Sequence, residues 1–172
     1  MRAGKRGGVI IVLGRGGHAR VLMDILGNNG VGQLEPDQTP PDNAKLVIGI
    51  GNLVKRRALF ERYGKERFIH VQHRTCWPAH GTVIGFGCQL MAGVIIQPGV
   101  TLGDNVLVNT GAQIDHDCKI GDHVHIAPGA ILCGGVTVER YVFIGAGAVV
   151  AENTVIPRGN FVKAGSVSGV AA

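Results

Sequence analysis

From Ile84 to Val167 the chain repeats in sixes without insertion: IGFGCQ, LMAGVI, IQPGVT, LGDNVL, VNTGAQ, IDHDCK, IGDHVH, IAPGAI, LCGGVT, VERYVF, IGAGAV, VAENTV, IPRGNF and VKAGSV. The first position of all fourteen hexads is aliphatic, from Ile84 and Leu90 to Ile156 and Val162. The fifth is small or β-branched in every hexad but that of Asn160, as in Cys88, Val94, Ala112, Cys118 and Ala148. A period of six drifts around a 3.6-residue helix, and a hairpin meander needs turns at variable spacing. Fifth and first positions of successive hexads lie two residues apart, so both point to one side of a strand. Gly, Asn and Asp at the second to fourth positions supply corners, where positive φ or side-chain turns are needed. Each hexad is therefore one short strand and one corner, and three of them close a triangular coil. Fourteen hexads make about 4.7 coils, which at a strand spacing of roughly 4.8 Å form a prism about 22 Å tall. Its outward positions carry Ile95, Leu107, Ile131, Phe143, Val149, Val155 and Phe161. Apolar outer faces predict burial against another copy.

Ahead of the repeat the pattern changes. Val9–Leu13 is a continuous apolar run, as in a buried parallel strand. Gly14-Arg-Gly-Gly-His-Ala19 follows, then Val21, Leu22, Ile25 and Leu26 at helical spacing. This strand, Gly-rich loop and helix would offer free N–H groups to a phosphate, and the string satisfies the G-x-G-x-x-A fingerprint. A tight turn without a ligand is the alternative reading. Residues 27–45, with Pro36, Pro40 and Pro41, read as loop. Leu46–Ile50 is a second strand. Asn52 caps a helix over Leu53–Tyr63, with Leu53, Leu59, Phe60 and Tyr63 inward and the basic residues outward. Phe68–Val71 is a third strand, and His73–Val83 leads into the prism. The chain divides into a shortened α/β cap, residues 1–75, and a repeat domain, residues 76–172.

Composition narrows the function. Gly is 28 of 172 residues without a collagen period, and hydrophobic residues are 45%, which excludes a fibre and a disordered chain. Aromatics are 5%, so the core is layered from Val, Ile, Leu and Ala. No apolar run is long enough to cross a membrane, and Val9–Leu13 is too short for a signal peptide. The net charge of +5 is spread over Arg2–Arg6, Lys55–Arg57 and Arg62–Arg67 with few aromatics nearby. That argues against a nucleic-acid platform and suits small anions such as phosphates. The four cysteines form no CxxC pair and read as reduced thiols of a cytoplasmic protein.

The hexads resemble those of the left-handed parallel β-helix, and the handedness is taken from that resemblance. The strand–GxGGH–helix cap, together with N-T-G-A-x-I-x-H-D-C-x-I-G-D-x-V-H-I-A-P-G-A over Asn109–Ala130, resembles the sugar acyltransferases of the sialic acid O-acetyltransferase type. That group includes N-acetyltransferases of nucleotide-linked 4-amino-sugars used for bacillosamine and perosamine. The resemblance spans almost the whole chain. It implies a homotrimer of parallel prisms that transfers an acetyl group from acetyl-CoA to a sugar amine or hydroxyl, without a metal. The Rossmann-like cap would hold the nucleotide and the prism interfaces the CoA. Such caps carry a further βα unit before the strand at Leu46–Ile50, for which residues 27–45 are short. The acidic strand end that helps hold base and ribose then has no counterpart, with Glu35 and Asp37 in a Pro-rich loop. The usual G-x-P-A-K tail reads Gly169-Val-Ala-Ala172.

Acyl transfer from a thioester needs a base and a donor to the oxyanion. His116, at a third hexad position, stands on an outward corner, and a carboxylate beside it at Asp117 would raise its pKa and fix its tautomer. The resemblance implies that His116 is the general base, tuned by Asp117, and that His125 positions the acetyl group and donates to the oxyanion. It also places Gly14, Gly16, Gly17 and His18 in the nucleotide loop, and Gly145 and Ala146 along the pantetheine groove. Asn109 bonds substrate or holds its corner. His123 reads as a surface residue. Two rival classes use the same architecture. A γ-class carbonic anhydrase would need three His per zinc. His80 and His116 stack two coils apart, but Gly121 stands where the second His of a close pair belongs. The shortened cap also fits a non-catalytic trimer that binds a sugar nucleotide. A dehydrogenase lacks the rest of its six-stranded fold.

Overall fold

The computed structural model describes residues 9–27 and 30–169; the basic residues 2–6 and the tail at 170–172 lie outside the described residues. The cap runs β1 (Ile10–Leu13), α1 (Gly17–Leu26), β2 (Val31–Leu34), β3 (Lys45–Ile48) and α2 (Leu53–Tyr63). Its strands form a parallel sheet of order β2-β1-β3. β2 stands where the Pro-rich pattern predicts only loop. The sequence Val-Gly-Gln-Leu shows no apolar alternation because all four residues are half-buried. Gly32 is there for space: a Cβ would come 2.9 Å from Ile11 Cδ1. What makes this segment a strand is its pairing, Ile10↔Val31 to Leu13↔Leu34. The predicted third strand is not one element. Phe68 makes a single bridge to Leu46, and Val71 already belongs to the prism. Helix α2 has the expected bounds, and Asn52 Oδ1 accepts from Lys55 N at 3.0 Å. Its basic residues do not all face out, for Arg56 is fully buried.

The prism is a left-handed parallel β-helix of two-residue strands in three sheets of six, six and five. The first face runs from Val71–Gln72 to Phe161–Val162, the second from Trp77–Pro78 to Val167–Ser168, and the third from Val83–Ile84 to Val155–Ile156. Strands pair 18 residues apart, as Leu107 does with Gln89 and His125. Stacking thus begins at Val71, ahead of both Ile84 and the predicted boundary at residue 76. Gln72 and Pro78 occupy the first positions of two earlier hexads and hide the repeat, although Cys76 in a fifth position is buried. First positions from Leu90 to Val162 are buried, and so are Cys88 and Cys118, as the hexad register predicts. In all fourteen hexads the fourth residue has positive φ; those that are not Gly are Asn105, Asp117, His123, Tyr141 and Asn153.

The cap covers the first face, where α1 packs against Val71–Gln72 and where Gln89, Leu107 and His125 are buried. Leu107, predicted to face another copy, is therefore covered by its own chain. The second face stays open and apolar: Trp77, Ile95, Ile131 and Val167 are exposed. No helix among the described residues is long and apolar enough to cross a membrane.

Candidate functional site

Two groups of residues carry chemistry, and the prism separates them. The first surrounds a cavity of about 550 Å³ at the carboxyl ends of β1 and β3. From β1 the chain proceeds to β2 on one side and β3 on the other, and such switch points are where open α/β sheets bind ligands. Gly14, Gly16, Gly17 and His18 line this cavity with Arg15, Glu35, Gly49, Gly51 and Lys55. Gly14 has φ 122 and lies against Gly49 O, a conformation that suits glycine. Both helices start here, α1 after Gly16 and α2 after Asn52. Their free N–H groups and the cations of Arg15 and Lys55 suit an anion. Glu35 follows β2 and pairs with Arg15 Nε at 3.2 Å. Glu35 thus stands at a strand end, where the Pro-rich pattern predicts a loop.

His18 meets the prism at Gln89, with Nε2 2.8 Å from Oε1. Gln89 Nε2 donates to Ile48 O at 2.9 Å, and Gln89 Oε1 accepts from Arg56 Nη1 at 2.9 Å. That oxygen therefore accepts from His18 as well, which puts the His18 proton on Nε2 and the lone pair on Nδ1. Burial lowers the His18 pKa more than the Gln89 bond raises it, and the Arg56 charge lowers it further. The ring is neutral at pH 7. Arg56, 1% exposed, also donates to Ile48 O, Ile50 O and Asn105 Oδ1 at 3.2, 3.3 and 2.8 Å. Asn105 Nδ2 in turn lies 2.9 Å from His123 Nδ1. His123 is buried, not the surface residue predicted. Its ring stacks on Tyr141 at 5.4 Å and meets the edge of Phe60 at 5.5 Å, so α2 covers it.

His125 points out from the first face, as its sixth position predicts, but is only 7% exposed because the cap lies over it. Its Nδ1 is buried without a hydrogen-bond partner among the described residues. Burial, then the Arg56 and His18 charges, push its pKa down to about 4 against the opposing influence of the Gly51 backbone, which approaches the ring without meeting hydrogen-bond geometry at Nδ1. Asn109 holds its corner and also reaches His125. Its Oδ1 holds the corner through Thr110 N at 2.8 Å, and its Nδ2 lies 3.5 Å from His125 Nε2. Gly145 and Ala146 occupy the same corner two coils further on, Gly145 buried and Ala146 exposed.

The second group stands on the corner between the second and third faces, opposite the cap. His116 Nδ1 lies 2.9 Å from Asp117 Oδ2, with side chains 62% and 72% exposed. A carboxylate only accepts, so the neutral ring carries its proton on Nδ1 and its lone pair on Nε2. The Asp117 hydrogen bond, followed by the Asp115 charge, raises the His116 pKa. The ring lies under Gly134 of the next coil: a Cβ there would come 2.7 Å from Cε1 and 2.8 Å from Nε2. The φ of Gly134 is not in the left-handed region, so the ring rather than the backbone calls for glycine. Among the described residues no group of three or more His, Cys, Asp or Glu is arranged to hold a metal ion.

Sequence reasoning missed Arg56, Gln89 and Glu35. Arg56 is in phase with Leu59, Phe60 and Tyr63 on α2, and that spacing is a signal that it faces inward. Gln89 is a polar residue at an outward position, with no feature in the sequence to mark it.

The model of the bacterial transferase hexapeptide family (six repeats) matches residues 81–116, 103–134 and 117–152. Among solved structures, the chain is similar to PerB from Caulobacter crescentus in complex with CoA and GDP-perosamine. The TM-score is 0.84 at 30% identity, over 95% of this chain and 89% of that one. The acetyltransferase domain of PglB from Neisseria gonorrhoeae gives a TM-score of 0.82 at 28% identity, over 94% and 91% of the two chains. WeeI from Acinetobacter baumannii gives 0.74 at 25%, over 95% and 92%. No protein of curated function matches the sequence.

Proposed function

This chain belongs to the hexapeptide-repeat transferases and is an acyltransferase, and from that premise we propose that it moves the acetyl group of acetyl-CoA onto an amino group, or a hydroxyl, of a nucleotide-linked sugar. PerB was solved with CoA and GDP-perosamine, and a nucleotide-linked 4-amino-sugar is the acceptor class that best suits this cavity. The diphosphate sits against the starts of α1 and α2, beside Arg15 and Lys55. The observation that carries the reading is the exposed His116–Asp117 pair, which leaves the Nε2 lone pair free above a corner with no packing duty.

The reaction follows from those groups. The neutral sugar amine attacks the thioester carbonyl, and the C–S bond breaks as the tetrahedral intermediate collapses. His116 Nε2 takes the proton lost by nitrogen, and the CoA thiolate leaves and is protonated. Asp117 holds the ring in its tautomer and stabilises the imidazolium. His125, neutral and with Nδ1 unpartnered, positions the acetyl group, and Gly145 and Ala146 border the pantetheine. Within one chain His116 and the cavity face different ways, so the site is completed by a neighbouring copy. The open apolar face of Trp77, Ile95, Ile131 and Val167 adjoins the His116 corner and supplies the seat, and a homotrimer closes it.

The test is a mass-spectrometric screen of acetyl-CoA against UDP- and GDP-linked 4-amino-sugars and sialic acid, with free CoA measured in parallel. An acetylated product matched by CoA release is the expected result. A folded protein that acetylates no member of the panel overturns the reading.

A further inference from the structure

The sequence contains 12 Asp and Glu, all within the described residues, and none of them forms an ion pair with Arg56. Its partners are two main-chain carbonyls and two side-chain amides. A cation held away from water by neutral acceptors alone keeps most of its field. Burial lowers its pKa only to about 10, so it is charged at pH 7. Two contacts lead from it to the cavity. Ile50, whose carbonyl it holds, lines the cavity, and Gln89 passes its contact to His18, which lines it too. At the rim, Arg15 is already paired with Glu35.

We propose that Arg56 is a buried counter-charge for the diphosphate of the bound sugar nucleotide, selecting anionic ligands from beneath the cavity floor. The proposal rests on reading that cavity as the nucleotide-sugar site. Arg56 touches no ligand itself. It acts through the Ile48–Ile50 backbone and through Gln89, and the field it projects is uncompensated until an anion enters.

Gln89→Glu tests this without opening a hole. The new carboxylate still accepts from Arg56 and His18; its second oxygen faces Ile48 O acceptor to acceptor, while Ile48 O keeps Arg56 Nη1 as a donor. The variant therefore neutralises Arg56 in place. Calorimetric titration with GDP, UDP and inorganic pyrophosphate should show affinity lower by about tenfold, the effect of one unit charge acting over about 10 Å at an effective dielectric near 20. Guanosine and uridine should bind as they do to the parent, which shows that the cavity is intact. Arg56→Lys keeps the charge while losing the fork, so it should preserve the preference for diphosphate over nucleoside even if it melts lower. Diphosphate affinity unchanged in folded Gln89→Glu overturns the proposal, as does equal loss for diphosphates and nucleosides, or loss of the preference in Arg56→Lys. A parent protein that binds none of the five probes overturns the reading of the cavity, and the proposal with it.

Discussion

Separation of His116 from the cavity makes a quantitative prediction about mixed assemblies. His116→Ala removes a ring that is 62% exposed and has one side-chain partner, Asp117. No cavity opens in the core, so the stability change should stay within about 0.5 kcal/mol. Loss of the base should lower kcat by about 10²–10⁴-fold, roughly 3–5 kcal/mol of barrier, with acetyl-CoA and nucleotide affinities intact. Gly16→Asp disables the other half. Gly16 has φ −73 and a Cβ there meets nothing within 4 Å, so Asp fits. Asp at this N-cap should stabilise α1 by a few tenths of a kcal/mol over Gly. Its carboxylate, however, would occupy the cavity proposed for the diphosphate. Each variant alone should be nearly inactive, for a different reason. In a closed ring, where every site takes His116 from one copy and the cavity from the next, a random equal mixture leaves about a quarter of the sites with both halves intact. Co-refolded or co-expressed variants should then recover about a quarter of the parent rate, with mixed trimers verified by native mass spectrometry. Mixed trimers no more active than either variant alone would refute assembly of the site between copies.

Four further outcomes follow from the geometry. Asp117→Asn keeps a residue that tolerates φ 60 but removes the charge that raises the His116 pKa; since His116 works unprotonated, the acid limb of kcat/KM should move to lower pH, and an unmoved limb refutes the pairing. His125 has a folded pKa near 4, below its unfolded value, so the unfolded chain binds the extra proton and stability should fall by about 2–3 kcal/mol between pH 7 and pH 4.5; thermal melts should show this, and His125→Gln should flatten the dependence. Gly134→Ala places a Cβ 2.7 Å from the His116 ring, so kcat should drop by about tenfold or more while nucleotide binding, measured by calorimetry, is unchanged. Cys88 and Cys118, fully buried and with pKa pushed up to about 12 and about 11, should react with a thiol reagent only as fast as the protein unfolds, and rapid labelling of both would contradict the hexad register.

The parts of this structure that the sequence made legible are those where one local requirement recurs. Each coil needs the same inward residues and a left-handed residue at each corner, so Leu90, Cys88 or Gly111 could be placed from the pattern alone. Legibility stops where the covering element is remote. His123 and Tyr141 occupy left-handed corners that glycine would satisfy, and they stack into a ladder because Phe60 and Arg57 of α2 lie on them. Arg56 breaks the hydrophobic stripe of its helix, and only the carbonyls of β3 and the amides of Gln89 and Asn105 explain why. In β2 the pairing replaces the pattern, so the strand end at Glu35 does not show in the sequence.

The division of the site was nevertheless open to deduction from spacing. His116 and His125 are nine residues apart, and strands repeat every 18. Nine residues are half a coil, so two outward side chains at that spacing must leave the triangle on opposite sides, one from a corner and one from the facing sheet. A motif that reads as a single constellation along the chain, H-D-C-x-I-G-D-x-V-H, is therefore split between two sides of the prism. In the homotrimer proposed above, rotation about the assembly axis would bring the His116 corner of one copy to the covered face of the next, and the chemistry would then depend on the packing of the open apolar face between them.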